Sequence, residues 1–453
     1  MRHFVLRGEP ALDLLNLFLA DAQTGFGAFL AVYLTAHKWT PVEVGLALSI
    51  GTVTGIVSQI PAGLLVDRLQ NKRVAVAGGI AAIALAALLF VFLPYQLPVA
   101  VAEVLHGFAS CVLTPAVAAV SLRLVGQTRL GERLGRNARF AAIGNGTAAG
   151  LMGALGTYVS TQSVFLLTAA LAAPAAFALW RIGPPADPAM ATAASARPRQ
   201  QQDWRGALDL LTDRRLLVFF GCILMFHLAN AAMLPIAASS VTAHVGASAS
   251  LVIAVCIMLP QAVVAVISPW LGRQANRTGR RTVLLIGWTA LPVRAALFAL
   301  LPIPGMIAGA QVLDGVSAAV FGVMLPLIAA DVTRGKDRFN LCIGIFGLAV
   351  GIGATLSTSL AGWVASLAGE RLAFAALAGA GMAGLALLAA AMPETGPPHQ
   401  PEGRLSFAKP PSWVGQVPAR SIAVRAGRPR LQARRRQGYA RAVHGGAGWR
   451  SRT

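Results

Sequence analysis

The sequence predicts an all-α integral membrane protein with twelve transmembrane helices in two six-helix bundles related by pseudo-two-fold symmetry. Hydrophobic residues make up 56% of the 453-residue chain and charged residues only 12%. Soluble domains carry about 25% charged residues. Apolar runs of about 20 residues, each long enough to cross a bilayer, recur along the chain. Short sequence patterns also recur at one offset, which indicates an internal duplication.

The apolar runs predict twelve spans separated by short polar turns. The turns that we place in the cytoplasm are rich in arginine, and those that we place outside carry at most two basic groups. Because basic residues concentrate in cytoplasmic loops, both termini are expected in the cytoplasm. The expected spans cover roughly residues 11–35, 42–66, 74–93, 99–124, 137–159, a sixth ending near Trp180, 215–243, 251–271, 282–301, 305–332, 339–367 and 372–392.

These spans divide the chain into four segments. They are an N-terminal six-helix bundle (1–181), a cytoplasmic linker (182–213), a C-terminal six-helix bundle (214–395) and a basic, disordered cytoplasmic tail (396–453). We expect a monomeric, multi-pass protein of the cell inner membrane. The net charge of +21 follows the inner loops and the tail, so we expect no nucleic-acid partner. A tail that binds anionic lipid or RNA is the alternative to a merely solvated one.

The internal duplication rests on three matches. Residues 19–22 (LADA) match residues 228–231 (LANA), and residues 102–107 (AEVLHG) match residues 310–315 (AQVLDG). The basic turn at residues 63–73 recurs at residues 272–281. Each match joins corresponding spans of the two halves at nearly the same offset. The halves are therefore expected to be parallel repeats related by an axis along the membrane normal.

The basic turn between the second and third spans also carries a physical role. Gly63 lets two helices approach closely. Asp67 at a membrane face is favoured by Arg68 or Arg73, and by the positive N-terminal end of a neighbouring helix. A plain charge cluster that only sets the topology is the alternative interpretation.

With these features the sequence resembles the major facilitator superfamily of transporters over about residues 10–395. That family has the pattern G-x-x-x-D-R-x-G-x-R/K-R/K in this turn. The first copy matches it at Gly63, Asp67, Arg68, Lys72 and Arg73, with Gln70 where glycine is usual, and the second at Gly272, Arg277, Gly279 and Arg281, with Asn276 in place of the acid. The resemblance implies alternating access, with Asp67 holding the halves together on the inner side in the outward-open state.

Ionisable groups deep in a span are costly and usually functional. The resemblance implies that spans 1, 4, 7 and 10 line the central cavity, where almost all such groups fall. We predict a proton-coupling set of Asp21, Glu103, His106 and Asp314. We predict a substrate cavity lined by Asp21, His106, His227, Asn230, Asp314 and Arg294.

The predicted roles follow from residue chemistry. Asp21 is the preferred proton carrier, because burial favours the protonated form of a carboxyl group. Arg294 is expected to pair with Asp314 on the adjacent helix, and a purely structural ion pair is equally compatible. His106 and His227 are expected to relay protons or bind substrate; for His227 a hydrogen-bonded helix-packing role is the alternative. Asp13 and Asp331 are expected to be interfacial.

No ATP-binding or hydrolase signature occurs: Walker A, Ser nucleophile-elbow and HExxH patterns are absent from the sequence. All four cysteines lie in apolar runs without CxxC spacing, so no metal is expected. We therefore expect a non-enzymatic transporter without cofactor, driven by the proton gradient, with protons, a small-molecule substrate and the bilayer as partners. Proton-driven export of a small amphiphile is the first hypothesis. Proton-coupled uptake of a polar metabolite, or a transporter-like sensor or scaffold, are the alternatives.

Overall fold

The computed structural model describes residues 8–24, 26, 28–183, 212–237, 249–301 and 303–396. The predicted tail and most of the predicted linker therefore lie outside the described residues. The described residues form twelve helices and no strand. The helices are α1 Glu9–Thr24, α2 Ala28–Ala36, α3 Pro41–Arg68, α4 Lys72–Phe92, α5 Gln96–Tyr158, α6 Thr161–Arg181, α7 Arg214–Asn230, α8 Ala249–Thr278, α9 Arg280–Leu300, α10 Pro304–Val332, α11 Phe339–Ala368 and α12 Glu370–Ala391.

These helices account for the twelve predicted spans. Ten helices of the described part are long and apolar enough to cross a membrane. One of them, α5, has 63 residues, about 95 Å at 1.5 Å per residue, and so supplies spans 4 and 5. The shorter α1 and α2 together supply span 1, α3 and α4 are spans 2 and 3, and α6 to α12 are spans 6 to 12. The predicted fold class is thus confirmed.

Polar side chains fix where several of the helices begin. Thr40 and Glu43 form a reciprocal capping box at the start of α3. The side chains of Asn71, Ser160 and Asp213 accept hydrogen bonds from backbone N–H groups at the starts of α4, α6 and α7. These caps satisfy N–H groups that no carbonyl of the same helix can reach. The short polar turns of the sequence therefore define the ends of the apolar helices.

The first predicted span is interrupted. The sequence suggested one helix over residues 11–35, but α1 ends at Thr24 and α2 begins at Ala28. Gly25 and Gly27 lie between them in the sequence, and glycine is a poor helix former. The interruption comes directly after the repeated pattern that contains Asp21.

The prediction of an irregular loop over residues 125–136, between spans 4 and 5, is wrong, because these residues are largely helical. Residues Arg129, Arg133 and Arg136 lie on the second part of α5, and the connection is reduced to Gly126, with φ 73° and ψ 176°. Glycine adopts such a positive φ at little cost. The arginines that looked like loop residues are therefore held on a helix, where they contact α1.

The apolar core follows the two halves of the chain. One large buried cluster consists of residues between Ala11 and Ile182. The other consists of residues between Leu216 and Met392, joined by a few residues of α5 such as Leu130 and Leu134. Each half thus has its own core, and α5 also packs against the second half.

The two halves touch at one face of the molecule, which we call the basic face because the two basic turns lie there. A Cβ atom at Gly63 on α3 would lie 2.5 Å from the carbonyl oxygen of Asn340 on α11. A Cβ atom at Gly131 on α5 would lie 2.7 Å from the carbonyl oxygen of Gly272 on α8. The backbones of these helix pairs are therefore in direct contact across the interface between the halves.

Towards the opposite face the same helix surfaces separate. Gly45 lies about five helical turns from Gly63 on the same side of α3, yet nothing in the described structure lies within 4 Å of its Cβ position. On α11, a Cβ at Gly351 would lie 2.9 Å from Ile56, whereas Gly362, about three turns further on, has no neighbour of this kind. The interface is closed at the basic face and open at the opposite face.

Candidate functional site

The second half contains a buried polar cluster that joins three helices. The guanidinium group of Arg294 on α9 forms an ion pair with Asp314 on α10. Its Nη2 also donates to Oδ1 of Asn230 on α7, at 2.6 Å. The predicted pairing of Arg294 with Asp314 is confirmed. The Arg294 side chain is only 3% exposed, whereas that of Asp314 is 24% exposed, so the carboxylate is the accessible member of the pair.

Two neutral groups complete the surroundings of Arg294. Its Nε and Nη2 lie 3.2 Å and 3.1 Å from the sulfur of Met233, and Nη1 lies 3.5 Å from Oε1 of Gln311. Neither residue was predicted as a site residue from the sequence, although Gln311 occupies the position of Glu103 in the repeated pattern. Arg294 thus contacts side chains of α10 and of the end of span 7, which suits a group that holds these helices together.

Helix α7 ends next to this cluster. Its last residue is Asn230, and two residues later the backbone N–H of Ala232 donates to Oγ of Ser357 on α11, at 3.0 Å. Regular α-helix in span 7 is interrupted at residues 231 and 232, directly after the residue that binds Arg294, and the backbone is helical again over residues 233–237. Spans 1 and 7, which correspond in the duplication, are thus both interrupted at or shortly after the matching LADA and LANA patterns.

His227 lies one turn before Asn230 but faces aromatic and backbone groups. Its ring meets Phe321 edge-on at 5.0 Å between centroids, and its Cβ would lie 3.0 Å from a Cβ at Gly353. Its Nε2 is buried and has no hydrogen-bond partner among the described residues. Within the described residues, Nε2 of His227 therefore forms no hydrogen bond to the Arg294 cluster. It also forms no hydrogen bond to another described residue that would support the predicted helix-packing role.

The predicted site residues of the first half, Asp21, Glu103 and His106, do not form one cluster in the described structure. Asp21 lies in the last turn of α1, and its side chain is outside the described part of the structure. His106 stacks on Phe26, beside the interruption of span 1, with ring centroids 3.7 Å apart and an interplanar angle of 2°. Glu103, although one turn from His106, packs against Gly51 on α3. The structure therefore does not bring Glu103 and His106 together.

The predicted gate motif makes the contact expected of Asp67. Its Oδ1 accepts hydrogen bonds from the backbone N–H and the side-chain amide of Asn340, at 3.1 and 2.6 Å, and its Oδ2 accepts from the N–H of Leu341, at 2.8 Å. These donors form the N-terminal end of α11, where the helix dipole favours an anion. One carboxylate of the first half thus caps a helix of the second half.

Two basic residues in the first copy of the motif donate hydrogen bonds to backbone carbonyl oxygens. Lys72 donates to the carbonyl oxygens of Val66 and Asp67, at 2.6 and 2.9 Å. Arg73 donates to those of Leu179 and Trp180 at the end of α6. No ion pair joins Asp67 to Arg68 or Arg73 in the described structure, so the helix end, rather than a neighbouring arginine, stabilises this carboxylate.

The second copy of the motif has different contacts. The Nδ2 of Asn276 donates to the carbonyl oxygen of Thr128 on α5, at 3.3 Å, and its Oδ1 accepts from Arg280, at 3.1 Å. Gly279 adopts a positive φ of 92° at the turn, and Arg281 donates to the carbonyl oxygen of Ala389 at the end of α12. Arg277 is exposed. An amide suits this position because it faces a carbonyl oxygen, which needs a donor.

Buried ion pairs near the basic face were missed by the sequence analysis. Arg280 and Asp331, with side chains 3% and 0% exposed, pair at 3.0 Å. Asp331 also accepts from Gln127 of the other half, at 3.3 Å. In the first half Asp13 pairs with the fully buried Arg133. Both aspartates lie near the ends of their helices, as expected, but each is also paired with a buried arginine that only the folded chain places beside it.

Glu394 was also missed, although it follows the last span directly. Its carboxylate accepts hydrogen bonds from the N–H groups of Arg280, Arg281 and Gly396, at 2.8, 3.1 and 2.8 Å. Burial by itself raises the pKa of Glu394, but these hydrogen bonds outweigh it and hold the pKa below the ordinary value of 4.5. Glu394 thus ties the end of α12 to the start of α9.

The fold and these contacts define a polytopic α-helical membrane protein built from two duplicated halves that are joined by polar contacts at the basic face. The sequence matches the family model of the Major Facilitator Superfamily over residues 12–259 and 219–437. The chain therefore belongs to this superfamily of membrane transporters, and the resemblance seen in the basic turn is confirmed.

Two relatives from Mycobacterium tuberculosis are similar over most of their length. They come from the strains CDC 1551 / Oshkosh and ATCC 25618 / H37Rv, and both are named uncharacterized MFS-type transporters. Each is 36% identical over 392 residues, which is 86% of this chain and 94% of the relative. The match supports membrane transport as the activity of this chain, and the relatives' names specify no substrate.

Proposed function

We propose that this protein is a proton-coupled transporter of the cell inner membrane that exports a small amphiphilic compound by alternating access. The observation that carries the proposal is the buried cluster of Arg294, Asp314 and Asn230. Ionisable groups within membrane-spanning helices are energetically costly, and where they occur they usually serve a function. This cluster joins helices of spans 7, 9 and 10, of which 7 and 10 line the cavity in the family.

The cluster suits proton coupling because its two charges are unequally accessible. Asp314 is 24% exposed and Arg294 only 3%, so a proton can reach the carboxylate while the guanidinium stays buried. Protonation of Asp314 removes the negative charge that pairs with Arg294. The guanidinium group then keeps its hydrogen bond to Asn230 but has no anionic partner in the cluster. Since Asn230 is the last residue of α7, such a change acts directly before the two-residue interruption of span 7.

The remaining candidates extend the same site. Asp21 occupies the position of Asn230 in the first half, and we propose it as the principal proton carrier. Glu103 and His106 complete the proposed proton-coupling set. His227 contributes to the proposed substrate cavity, whose other members are Asp21, His106, Asn230, Asp314 and Arg294.

The arrangement of the halves fits one step of alternating access. If the basic face is cytoplasmic, as the positive-inside rule predicts, then the closed contacts there and the separation at the opposite face correspond to an outward-open state. Both termini then lie in the cytoplasm. The apolar surroundings and the few charges of the cluster favour an amphiphile over a sugar, which needs many hydrogen bonds.

The experiment is a comparison of two transport modes in proteoliposomes, with ethidium as the amphiphilic probe. Asp21→Asn should abolish movement of ethidium driven by a pH gradient and retain ethidium counterflow, because only the coupled mode requires proton exchange. Full gradient-driven movement in this variant would remove Asp21 from the mechanism. The absence of any effect of the gradient on the unmodified protein would contradict proton coupling.

The same vesicles distinguish the alternatives. Movement of the probe in the same direction as the proton would favour proton-coupled uptake over export. A chain truncated after His399 addresses the sensor or scaffold hypothesis, since it lacks the basic tail. Transport that survives truncation while a partner is lost would assign the tail to interaction.

A further inference from the structure

Helix α3 and the first part of α5 are packed closely together within the first half. A Cβ atom at Gly107 on α5 would lie 2.8 Å from the carbonyl oxygen of Gly51 and 3.2 Å from Cβ of Thr54, both on α3. One turn further along α5, the thiol of Cys111 donates to the carbonyl oxygen of Gly55, at 3.1 Å. The two helix backbones are therefore in close contact along this part of α5.

Glu103 lies at the end of this contact. Its residue is 4% exposed, and a Cβ atom added at Gly51 would lie 2.0 Å from its Oε2. The carboxyl group therefore occupies the space that glycine leaves at position 51. Its Oε1 is buried and has no hydrogen-bond partner among the described residues. We call this arrangement the Glu103 socket.

No described cation lies against the socket. On α3 the charged groups are Glu43, about 12 Å along the helix, and Asp67 and Arg68, about 24 Å or more along it in the other direction. Glu43 is itself bound by Thr40 and by Gln96. These groups are too far from the socket to neutralise a charge on Glu103.

The other neighbouring helices also carry their charges at the basic face. These groups are Glu9 and Asp13 on α1, Lys72 and Arg73 on α4, and Arg181 on α6. Tyr33 on α2 donates to the carbonyl oxygen of Phe90, His37 lies beyond it, and His106 stacks on Phe26. The side chain of Asp21 on α1 is outside the described part and adds a negative charge at most. An ionised Glu103 would therefore be a buried charge without a compensating partner among the described residues, which is strongly unfavourable.

We infer that Glu103 is a protonation-controlled lock between α3 and α5. The carboxyl group keeps its proton while the socket is closed, and loss of the proton drives the charged group out of the socket by separating α3 from α5. Because α3 carries Asp67 at its other end, opening the socket changes the helix that holds α11 at the basic face. Glu103 belongs to the proton-coupling set proposed above, but the lock is a movement within the first half that can be measured whether or not the protein exports a substrate.

Infrared difference spectroscopy of the whole protein in lipid vesicles tests the proton directly. A buried protonated carboxyl group without a hydrogen bond gives a separate carbonyl band, which should be present in the unmodified protein near neutral pH. Glu103→Gln should remove this band, and the control Glu43→Gln, on the exposed start of α3, should leave it. Retention of the band in Glu103→Gln, or its absence from the unmodified protein, would overturn the inference.

Spin labels at Leu46 on α3 and Leu97 on α5, both exposed, test the movement. The distance between them should increase with pH in the unmodified background and be independent of pH in Glu103→Gln. Gly51→Ala offers a second variant, since its methyl group fills the socket and should hold the labels apart at every pH. A pH response that persists in Glu103→Gln overturns the lock. Ethidium transport by the same vesicles is measured separately, so a failure of proton-coupled export is distinguished from a failure of the lock.

Discussion

At the scale of single residues, charge burial near the basic face separates two kinds of arginine. Arg280 is buried with Asp331, whereas Arg334 binds the same carboxylate from a side chain that is 50% exposed. Removing one member of a buried pair leaves an uncompensated charge, while an exposed pair contributes little. Arg280 and Arg334 share one carboxylate, so the burial of each arginine, rather than its partner, decides how much the pair contributes to the free energy of unfolding.

This difference predicts the effect of two matched substitutions. Arg280→Met should lower the free energy of unfolding by about 3–5 kcal/mol, because it leaves Asp331 buried without its main partner. Arg334→Ala should lower it by at most about 1 kcal/mol. Titration with sodium dodecyl sulfate in mixed micelles measures both values. Equal losses in the two variants would contradict the assignment of Asp331 as a buried ion-pair partner.

Glu394 predicts a pH dependence of stability. Its pKa in the folded protein lies below 4.5, so the ionised carboxylate stabilises the fold above that ordinary value. This contribution is lost as the pH falls through the lowered pKa. The unfolding midpoint of the unmodified protein should therefore fall more steeply than that of Glu394→Gln as the pH is lowered from about 6 to about 3. Parallel curves would show that Glu394 does not provide this contribution.

At the scale of helices, contact between the halves depends on where glycine lies along each helix. Gly63 and Gly45 share one side of α3, but only Gly63 meets a neighbouring backbone. The interface is therefore confined to the part of α3 near the basic face. A methyl group should therefore disturb the interface at position 63 and have no effect on it at position 45.

Gly63→Ala should separate α3 from α11, since its Cβ would lie 2.5 Å from the carbonyl oxygen of Asn340. Leu64, which packs against the core of the second half, then becomes accessible. In a Leu64→Cys background, the rate of labelling by a membrane-impermeant maleimide should rise several-fold. Gly45→Ala is the control and should leave the rate unchanged. A similar rate in both variants would argue against close contact at Gly63.

At the scale of the whole molecule, the two copies of the gate motif are duplicated but unequal. Asp67 faces N–H donors at the end of α11, and Asn276 faces the carbonyl oxygen of Thr128. A carboxylate suits the first environment and an amide the second. The difference between the copies therefore has a local cause, namely the polarity of the backbone that each side chain meets.

Asp67→Asn should shift the protein towards the state that is open at the basic face. The amide places a donor against the N–H groups of α11 and removes charge-assisted hydrogen bonds worth about 1.5–3 kcal/mol each. We expect the population ratio of the two states to change by about tenfold or more. Spin labels at Gln70 and Lys336 report it as a longer distance. Glu370→Gln, at the start of α12, is the control, and an unchanged distance in Asp67→Asn would contradict the gate.

Much of this architecture could be predicted from residues alone. The apolar runs and basic turns indicated twelve spans, and the repeated turn indicated two halves. The motif indicated that Asp67 meets a neighbouring helix end, and depth within the spans indicated the Arg294–Asp314 pair. In each case the signal is local, because hydropathy, turn charge and short spacing act over a few residues.

Other features were decided by tertiary structure. Arg133 looked like a loop residue because a basic run between apolar spans is typical of a cytoplasmic turn, and only packing against Asp13 shows why it is helical and buried. Glu103 and His106 share a helical face by spacing, yet neighbouring helices direct them to Gly51 and Phe26. The sequence by itself determined the membrane class and the duplicated halves, since these follow from local hydropathy. Only the tertiary structure decided which charges are buried, paired or alone, because a partner distant in sequence sets the solvation of each group.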